Sequence, residues 1–371
     1  MAQPLAITAA DTEFCEATPE QRELAWKLNG AAWARPMSIE TYVAQEFHLS
    51  EQELTKDGRC KYWVLHLTGY PRQVIASCET TRKKVLISEN GVSREGYGYG
   101  IASVYTNPDY RRQGMAATLL RRVQEAMDRD SDLSVLYSDI GRQYYSNLGW
   151  HVVPRDELTL TYIAPASTSD NETPTLQHSQ PGSIRYLRLE DLRTLCEVDE
   201  LHLSARFDRI PADGARHVAF LPSFAQISWQ VARAEFVAGK LLDGKAPENV
   251  GAITSNGRAW IYWSHDWKRK KLKILKVVTV LESTQQQRIY DIRVLVEAAL
   301  VEATTWGLGT VLLWNPDEET AMGCKAVGDV HPHDIDVVID ENVDHSISSL
   351  RWAGGKHKNT VWEDNYYYCW C

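Results

Sequence analysis

Between Tyr99 and Met127 a strand-like run passes through a basic turn with one glycine into an amphipathic helix, and few folds accommodate that succession. Tyr99-Gly100-Ile101-Ala102-Ser103-Val104-Tyr105-Thr106 reads as a buried strand that Asn107-Pro108 ends, because proline has no N–H to give a ladder. Met115, Leu119, Leu120, Val123 and Met127 then recur at helical spacing, with Arg121, Arg122, Glu125 and Asp128 on the other face. The turn between them, Arg111-Arg112-Gln113-Gly114-Met115-Ala116, aims backbone N–H groups and a positive helix end at one point, which suits a pyrophosphate. Gly114 lets the backbone approach a phosphate and Ala116 keeps bulk away. Cations at a helix start oppose the dipole, so a functional role explains Arg111 and Arg112 better than solvated decoration does. No Lys-Ser/Thr pair follows, so the turn is not a P-loop.

A second block follows: a strand, Val135-Leu136-Tyr137-Ser138-Asp139, then Tyr144-Tyr145-Ser146-Asn147-Leu148-Gly149-Trp150 and Val152-Val153. The R-x-x-G-x-A turn after V-x-T-N-P resembles the acetyl-CoA loop of the GNAT N-acetyltransferase superfamily, and the second block resembles that family's Y-x-x-x-G-F/W element. The resemblance implies an α/β fold with a mixed sheet. It also implies acetyl-CoA held by Val104, Tyr105, Thr106, Arg111, Arg112, Gln113, Gly114, Met115, Ala116 and Ala117. Adjacent tyrosines on a helix are most often packing residues. The resemblance singles out Tyr145, four residues before Gly149, as the acid that protonates the leaving CoA thiolate, with Tyr144 as its packing neighbour.

At 371 residues two domains are expected. No apolar run has the length of a membrane span, and Met1-Ala2-Gln3-Pro4 lacks the parts of a secretory signal, so a soluble cytoplasmic protein is expected. Seven scattered cysteines without paired metal-ligand spacing suggest reduced thiols and no metal. A net charge of −9 with no broad basic patch argues against nucleic acid and suits a cationic substrate. The basic run Lys268-Arg269-Lys270-Lys271, with Lys273 and Lys276 beyond it, reads first as a solvated hairpin turn.

The polar, proline-bearing stretch 165–182 reads as a linker between an acetyl-CoA-binding catalytic domain, 1–164, and a second domain, 183–371. The first opens with a strand-like Ala6-Ile7-Thr8, helices over Pro19–Leu28 and Ile39–Phe47, and strands over Tyr62–Leu67 and Val74–Thr80; Lys83–Arg94 reads as an exposed excursion. The second shows a helix from Leu189 to Leu203, strands at Val250–Thr254, Arg258–Trp263 and Leu272–Leu281, a helix from Gln287 to Trp306 and a strand at Thr310–Trp314. That order repeats the first domain, but Ser283-Thr284-Gln285-Gln286-Gln287 stands where the phosphate loop belongs. The half therefore reads as a degenerate GNAT-like domain, without cofactor, that shapes the substrate site.

Across its length the chain is similar to the fungal L-lysine N6-acetyltransferases of lysine catabolism, which implies acetyl transfer from acetyl-CoA to the side-chain amine of free L-lysine. An ammonium titrating near pH 10 must lose a proton before it attacks, and Glu79 and Asp139 are the candidate bases. Trp33, Tyr42 and Glu46 lie in the helical segment that covers the acceptor in this superfamily, and Glu46 could meet the ammonium. Arg206 or Arg209 could hold the α-carboxylate. The aromatic terminus Asn365–Cys371 should pack, either as a final strand of the second sheet or with its terminal carboxylate at the catalytic site. A protein, peptide or polyamine N-acetyltransferase and a CoA-sensing binding module are the rival readings.

Overall fold

The computed structural model describes residues 6–163, 182–280, 282–341, 343–355 and 359–370. The Cys371 carboxylate and nearly all of the 165–182 stretch lie outside them.

The first half runs β1 (Thr12–Glu16), α1 (Pro19–Trp33), α2 (Ile39–Ser50), β2 (Cys60–Leu67), β3 (Tyr70–Glu89), β4 (Val92–Thr106), α3 (Met115–Met127), β5 (Leu133–Ser138), α4 (Gln143–Ser146), β6 (His151–Val152) and β7 (Glu157–Tyr162). The second runs β8 (Ile184–Leu187), α5 (Leu189–Phe207), β9 (Arg216–Phe220), α6 (Phe224–Leu241), β10 (Gly251–Thr254), β11 (Ala259–Asp266), β12 (Lys271–Thr279), α7 (Gln285–Thr305), β13 (Thr310–Trp314), α8 (Glu318–Val330), β14 (Ile335–Asp340), β15 (Ile347–Trp352) and β16 (Thr360–Trp362). Local chemistry starts the helices: Thr18 and Gln21 form a capping box at α1, and Ser38 accepts from the Thr41 N–H at α2.

Two mixed sheets result. The nine-stranded sheet is ordered β1-β2-β3-β4-β5-β15-β6, with β9 on the far stretch of β3 and β16 on β9; the seven-stranded one is β14-β7-β13-β12-β11-β10-β8. Each half thus lends strands to the other's sheet. β7 pairs with β13 and β14, although it precedes the 165–182 stretch in sequence, while β15 pairs antiparallel with β5 from Ile347↔Ser138 to Trp352↔Leu133. Arg351 on β15 grips Asp128 just past α3 through two hydrogen bonds of 2.6 and 2.7 Å. Leu119, Leu120 and Val123 of α3 are buried on the first sheet with Ile75, Ile101 and Leu136, and α7 buries Leu295, Ala299 and Ala303 on the second.

Three expectations are corrected. Ala6-Ile7-Thr8 is not a strand: Thr8 and Asp11 hydrogen-bond each other around a tight turn, and pairing begins only at Thr12. Lys83–Arg94 is not an excursion but the outer part of a long hairpin, turned at Asn90 and Gly91 with φ of 55° and 75°. β9 pairs with it from Val85 to Glu89 and shields Val85 and Ile87, so a segment polar at its ends is buried in its middle. The C-terminal segment is a single 3-10 turn, Tyr367–Cys369, rather than a strand. Lys83, Gln226 and Gln230 donate to the carbonyls of Cys369, Tyr368 and Trp370 at 2.9, 2.8 and 2.6 Å, so its backbone is satisfied by side chains and no ladder forms.

Lys273 and Lys276, read as part of a basic turn, point inward. Lys276 bridges the buried Asp199 and Asp364 at 2.7 and 2.9 Å, and Arg206 also pairs with Asp364. The cluster pins the C-terminal segment to α5 and β12. Removing Lys276 leaves the buried Asp199 without its cation and Asp364 with Arg206 alone, so Lys276→Met should cost about 3–5 kcal/mol of unfolding free energy. A denaturant midpoint close to that of the wild type would show that the cluster carries no such burden.

Candidate active site

The site begins where two parallel strands part. β4 and β5 pair only from Gly98↔Leu133 to Ile101↔Leu136, yet β4 runs on to Thr106 and β5 to Ser138. A wedge opens along Val104, Tyr105 and Thr106. On the other edge of β4 the register with β3 shifts between Ser77 and Glu79, and Ser103 takes a left-handed φ of 54°. That bulge turns backbone groups away from the ladder.

The basic turn closes the wide end of the wedge. Arg111 donates to the Thr106 carbonyl at 3.1 Å, Arg112 has a φ of 62°, and Gly114 begins α3 with a φ of 78°. No side chain caps α3 and no acidic residue stands in its first turn, so its leading N–H groups and dipole are open to an anion. At α7, in the corresponding place of the second half, the Thr284 side chain accepts from the Gln287 N–H. Arg111 and Arg112 are exposed, without an acidic partner among the described residues, while Met115 is buried and Gln113 accepts a hydrogen bond from Ile7 at 2.8 Å. Ala116 and Ala117 follow in the first turn of α3. An acyl-CoA fits this frame, its pyrophosphate at the uncapped helix end and its thioester in the wedge.

Tyr145 on α4 is buried, edge-on to Tyr144 at 5.1 Å and to Trp150 at 6.4 Å between ring centroids. Burial, then Tyr144, Cys78 and Asp139, raise its phenol well above the ordinary value, and among the described residues its hydroxyl makes no hydrogen bond. Such a phenol is protonated at neutral pH, and it can donate a hydrogen bond to a developing thiolate or pass its proton in a step that restores the phenol at the same time.

On the other side of the bulge lies a pair of carboxyls. Ser103 donates to Glu79 at 2.9 Å, which ties Glu79 to the distorted part of β4. Both Glu79 and Glu46 keep a strip of accessible surface, but their carboxyls sit deep among neighbouring atoms. Burial first, then Glu79, pushes the Glu46 carboxyl up to about 8, with Arg233, Gln45 and Lys268 pulling the other way. Burial raises Glu79 as well, against the Ser103 hydrogen bond. Tyr42 lies buried beside Glu46, and Lys268 from the β11–β12 turn stands 5.9 Å over its ring. Lys268 also donates to the Trp33 carbonyl at 2.9 Å, and the Trp33 ring meets Tyr105 edge-on at 5.8 Å. Beneath these, Trp26 Nε1 and Asn29 Oδ1 are buried without hydrogen-bond partners among the described residues and line a small cavity with Tyr62, Cys78, Glu79 and Ser103. Buried polar atoms left unpaired are costly, and a single bound water would satisfy them.

The fold therefore gathers Glu46, Glu79, Tyr42 and Trp33 on one side of the wedge and Tyr145 near the end of β5. Asp139 stands apart from the carboxyl pair: its exposed side chain accepts from the Ser346 N–H at 2.9 Å and holds the entry to β15. Ser103 and Arg233 have no sequence signal. A left-handed serine within a strand run looks like any other strand residue, and Arg233 lies in α6, a helix absent from the sequence reading.

Residues 81–153 match the acetyltransferase (GNAT) domain, and residues 166–371 match the LYC1 GNAT-like C-terminal domain. The chain belongs to the GNAT acetyltransferases with a LYC1-type C-terminal domain. It is similar to a lysine acetyltransferase of Yarrowia lipolytica (strain CLIB 122 / E 150), 24% identical over 282 residues that cover 66% of this chain and 70% of that protein. Among solved structures it resembles a probable N-acyltransferase of Enterococcus faecalis V583, with a TM-score of 0.54 and 12% identity over 92% of this chain and 72% of that one. It also resembles N-myristoyltransferase of Saccharomyces cerevisiae, with a TM-score of 0.54 and 11% identity over 98% and 86%. These two likenesses establish the fold. Among the described residues no helix is long and apolar enough to cross a membrane, and no group of His, Cys, Asp and Glu is placed to hold a metal.

Gly114 has open space where a side chain would stand, so the cost of replacing it comes from backbone strain and from charge. Gly114→Asp should weaken acetyl-CoA binding by tenfold or more, about 1.4 kcal/mol or above. Gly114→Asn, which tolerates a left-handed φ, should lose less. Equal affinities for wild type and aspartate variant in calorimetry would place the pyrophosphate elsewhere.

Proposed function

We propose that the protein transfers the acetyl group of acetyl-CoA to the side-chain amine of free L-lysine, with the second half forming part of the acceptor wall. The observation that carries this reading is the Glu46–Glu79 carboxyl pair beside the Ser103 bulge, a pocket next to the wedge whose carboxyls, once deprotonated, suit an ammonium. The similarity to a lysine acetyltransferase supports lysine among amines. The resemblance to the lysine-catabolic enzymes supports a cytoplasmic role in lysine breakdown. The contact of Lys268 with Trp33 supports the part given to the second half.

In this reading Val104, Tyr105 and Thr106 line the acyl-CoA in the wedge, Arg111 and Arg112 flank its pyrophosphate, and the leading N–H groups of α3 bind it. Backbone N–H groups freed by the bulge polarise the thioester carbonyl. The carboxyl pair attracts the ammonium and takes its proton. From an ammonium near 10.4 to an ordinary carboxyl near 4.3 that transfer costs about 8 kcal/mol, and to a carboxyl near 8 it costs about 3 kcal/mol. Burial of the ammonium narrows the gap further. The freed amine attacks the carbonyl carbon, the C–S bond breaks as Tyr145 gives its proton to the departing thiolate, and the second proton of the acylated nitrogen restores the phenol.

The test is CoA release measured over free amino acids, polyamines and peptides. L-lysine should lead the panel in kcat/KM, and a leading peptide or polyamine would overturn the assignment. Because the pair must shed a proton before it can act, kcat should climb through an apparent pKa near 8 and fall away below it. Glu79, Arg233, Gln45 and Lys268 all bias that value, so it belongs to the cluster as a whole. Glu46→Gln should move the limb, and an unmoved limb would relocate the base. Tyr145→Phe should lower kcat roughly tenfold to hundredfold and leave acetyl-CoA affinity within twofold, since a proton given only in the transition state adds nothing to ground-state binding. Full turnover by that variant would remove Tyr145 from the reaction.

A further inference from the structure

We infer that Arg233 holds the α-carboxylate of the acceptor, so that the site selects a free diamino acid over a diamine or a peptide-bound lysine. The inference rests on the lysine reading above and adds the residue that recognises the end of the molecule remote from the reacting amine.

Arg233 lies on α6, three residues before Phe236, and positions so spaced share a helix face. Phe236 stacks on His48 of α2 at 5.3 Å, so that face of α6 lies against the helix that carries Glu46. The guanidinium is close enough to pull the Glu46 carboxyl and the Tyr42 phenol downward. It lies in a cleft with Lys268, Gln230, Ser264 and Asp266. Among the described residues it makes no ion pair and no hydrogen bond, and its guanidinium lies 5.1 Å from the Trp370 ring.

Asp266 and Glu46 both feel that cation, but among the described residues neither forms an ion pair with it. Asp266 is taken by Lys273 at 2.7 Å, and Lys268 spends a hydrogen bond on the Trp33 carbonyl. Burial first and Arg233 next hold the Lys268 ammonium below its ordinary value, although Glu46 and Asp266 oppose them. Two cations pressed together in a half-buried cleft make a place for an anion, and a planar guanidinium binds a carboxylate in two hydrogen bonds. With the acceptor's ammonium at Glu46 and Glu79, its carboxylate meets Arg233. Arg206, proposed for this task from sequence, is engaged by Asp364.

The experiment compares L-lysine with cadaverine, the same diamine without the carboxylate, at saturating acetyl-CoA. For the full-length protein kcat/KM should favour lysine by about 100-fold or more. In Arg233→Gln that value for lysine should fall by about 100-fold, mostly through KM, with cadaverine within twofold of wild type and acetyl-CoA affinity unchanged. Arg233→Lys should recover part of the preference and provides the same comparison if the glutamine variant does not bind acetyl-CoA. An equal loss on both amines would mean that Arg233 only supports the protein, for instance by holding Trp370, and would overturn the assignment. So would an undiminished kcat/KM for lysine. A wild type that acetylates peptides or polyamines and neither of these two amines would overturn the lysine reading itself, and this assignment with it.

Discussion

β15 decides how the rest of the molecule is arranged. Beyond Leu136, β5 has left β4, and a strand with both edges bare is not stable. β15 covers the far edge of β5 along its whole length, as β3 covers the far edge of β4, so each strand is held from outside while the wedge between them stays open. Arg351, through its paired hydrogen bonds to Asp128, fixes the same strand to the end of α3. A gap that would collapse between two free strands is thereby kept, with the uncapped start of α3 at its mouth.

Borrowing that strand from the second half of the chain has further consequences. The chain that makes β15 continues to the segment ending at Trp370, and the chain that makes β7 crosses the other way. α6 and the β11–β12 turn are carried to the α1–α2 side of the first half, where His48 meets Phe236 and Trp33 meets Lys268. Neither half could form these contacts alone.

Buried charge is treated in two opposite ways. Around Lys276 and Arg206 the two carboxylates Asp199 and Asp364 meet two cations, and the charges balance. Around Glu46 and Glu79 two carboxyls face each other, and the guanidinium of Arg233 stays at the edge without pairing. A balanced cluster holds a fold together; an unbalanced one raises proton affinities and leaves room for a charged guest.

Much was legible in the order of residues wherever the deciding forces act between near neighbours. The strand from Tyr99, the turn at Gly114 and the amphipathic α3 follow from local periodicity, from proline at 108 and from the need for an uncapped helix start, and α7 and the strands around it follow in the same way. The family was legible too, because its two motifs sit within single strand-turn-helix units. The inward turn of Lys273 and Lys276, the burial of Val85 and Ile87, and the meeting of Glu46 with Glu79 and Arg233 were not. Each depends on which strand edge is covered by a segment far away in the chain, and both Coulomb energy and burial are set by distance in space. Sequence alone determined the strand, turn and helix from Tyr99 to Met127; only tertiary structure decided which charges would gather beside them.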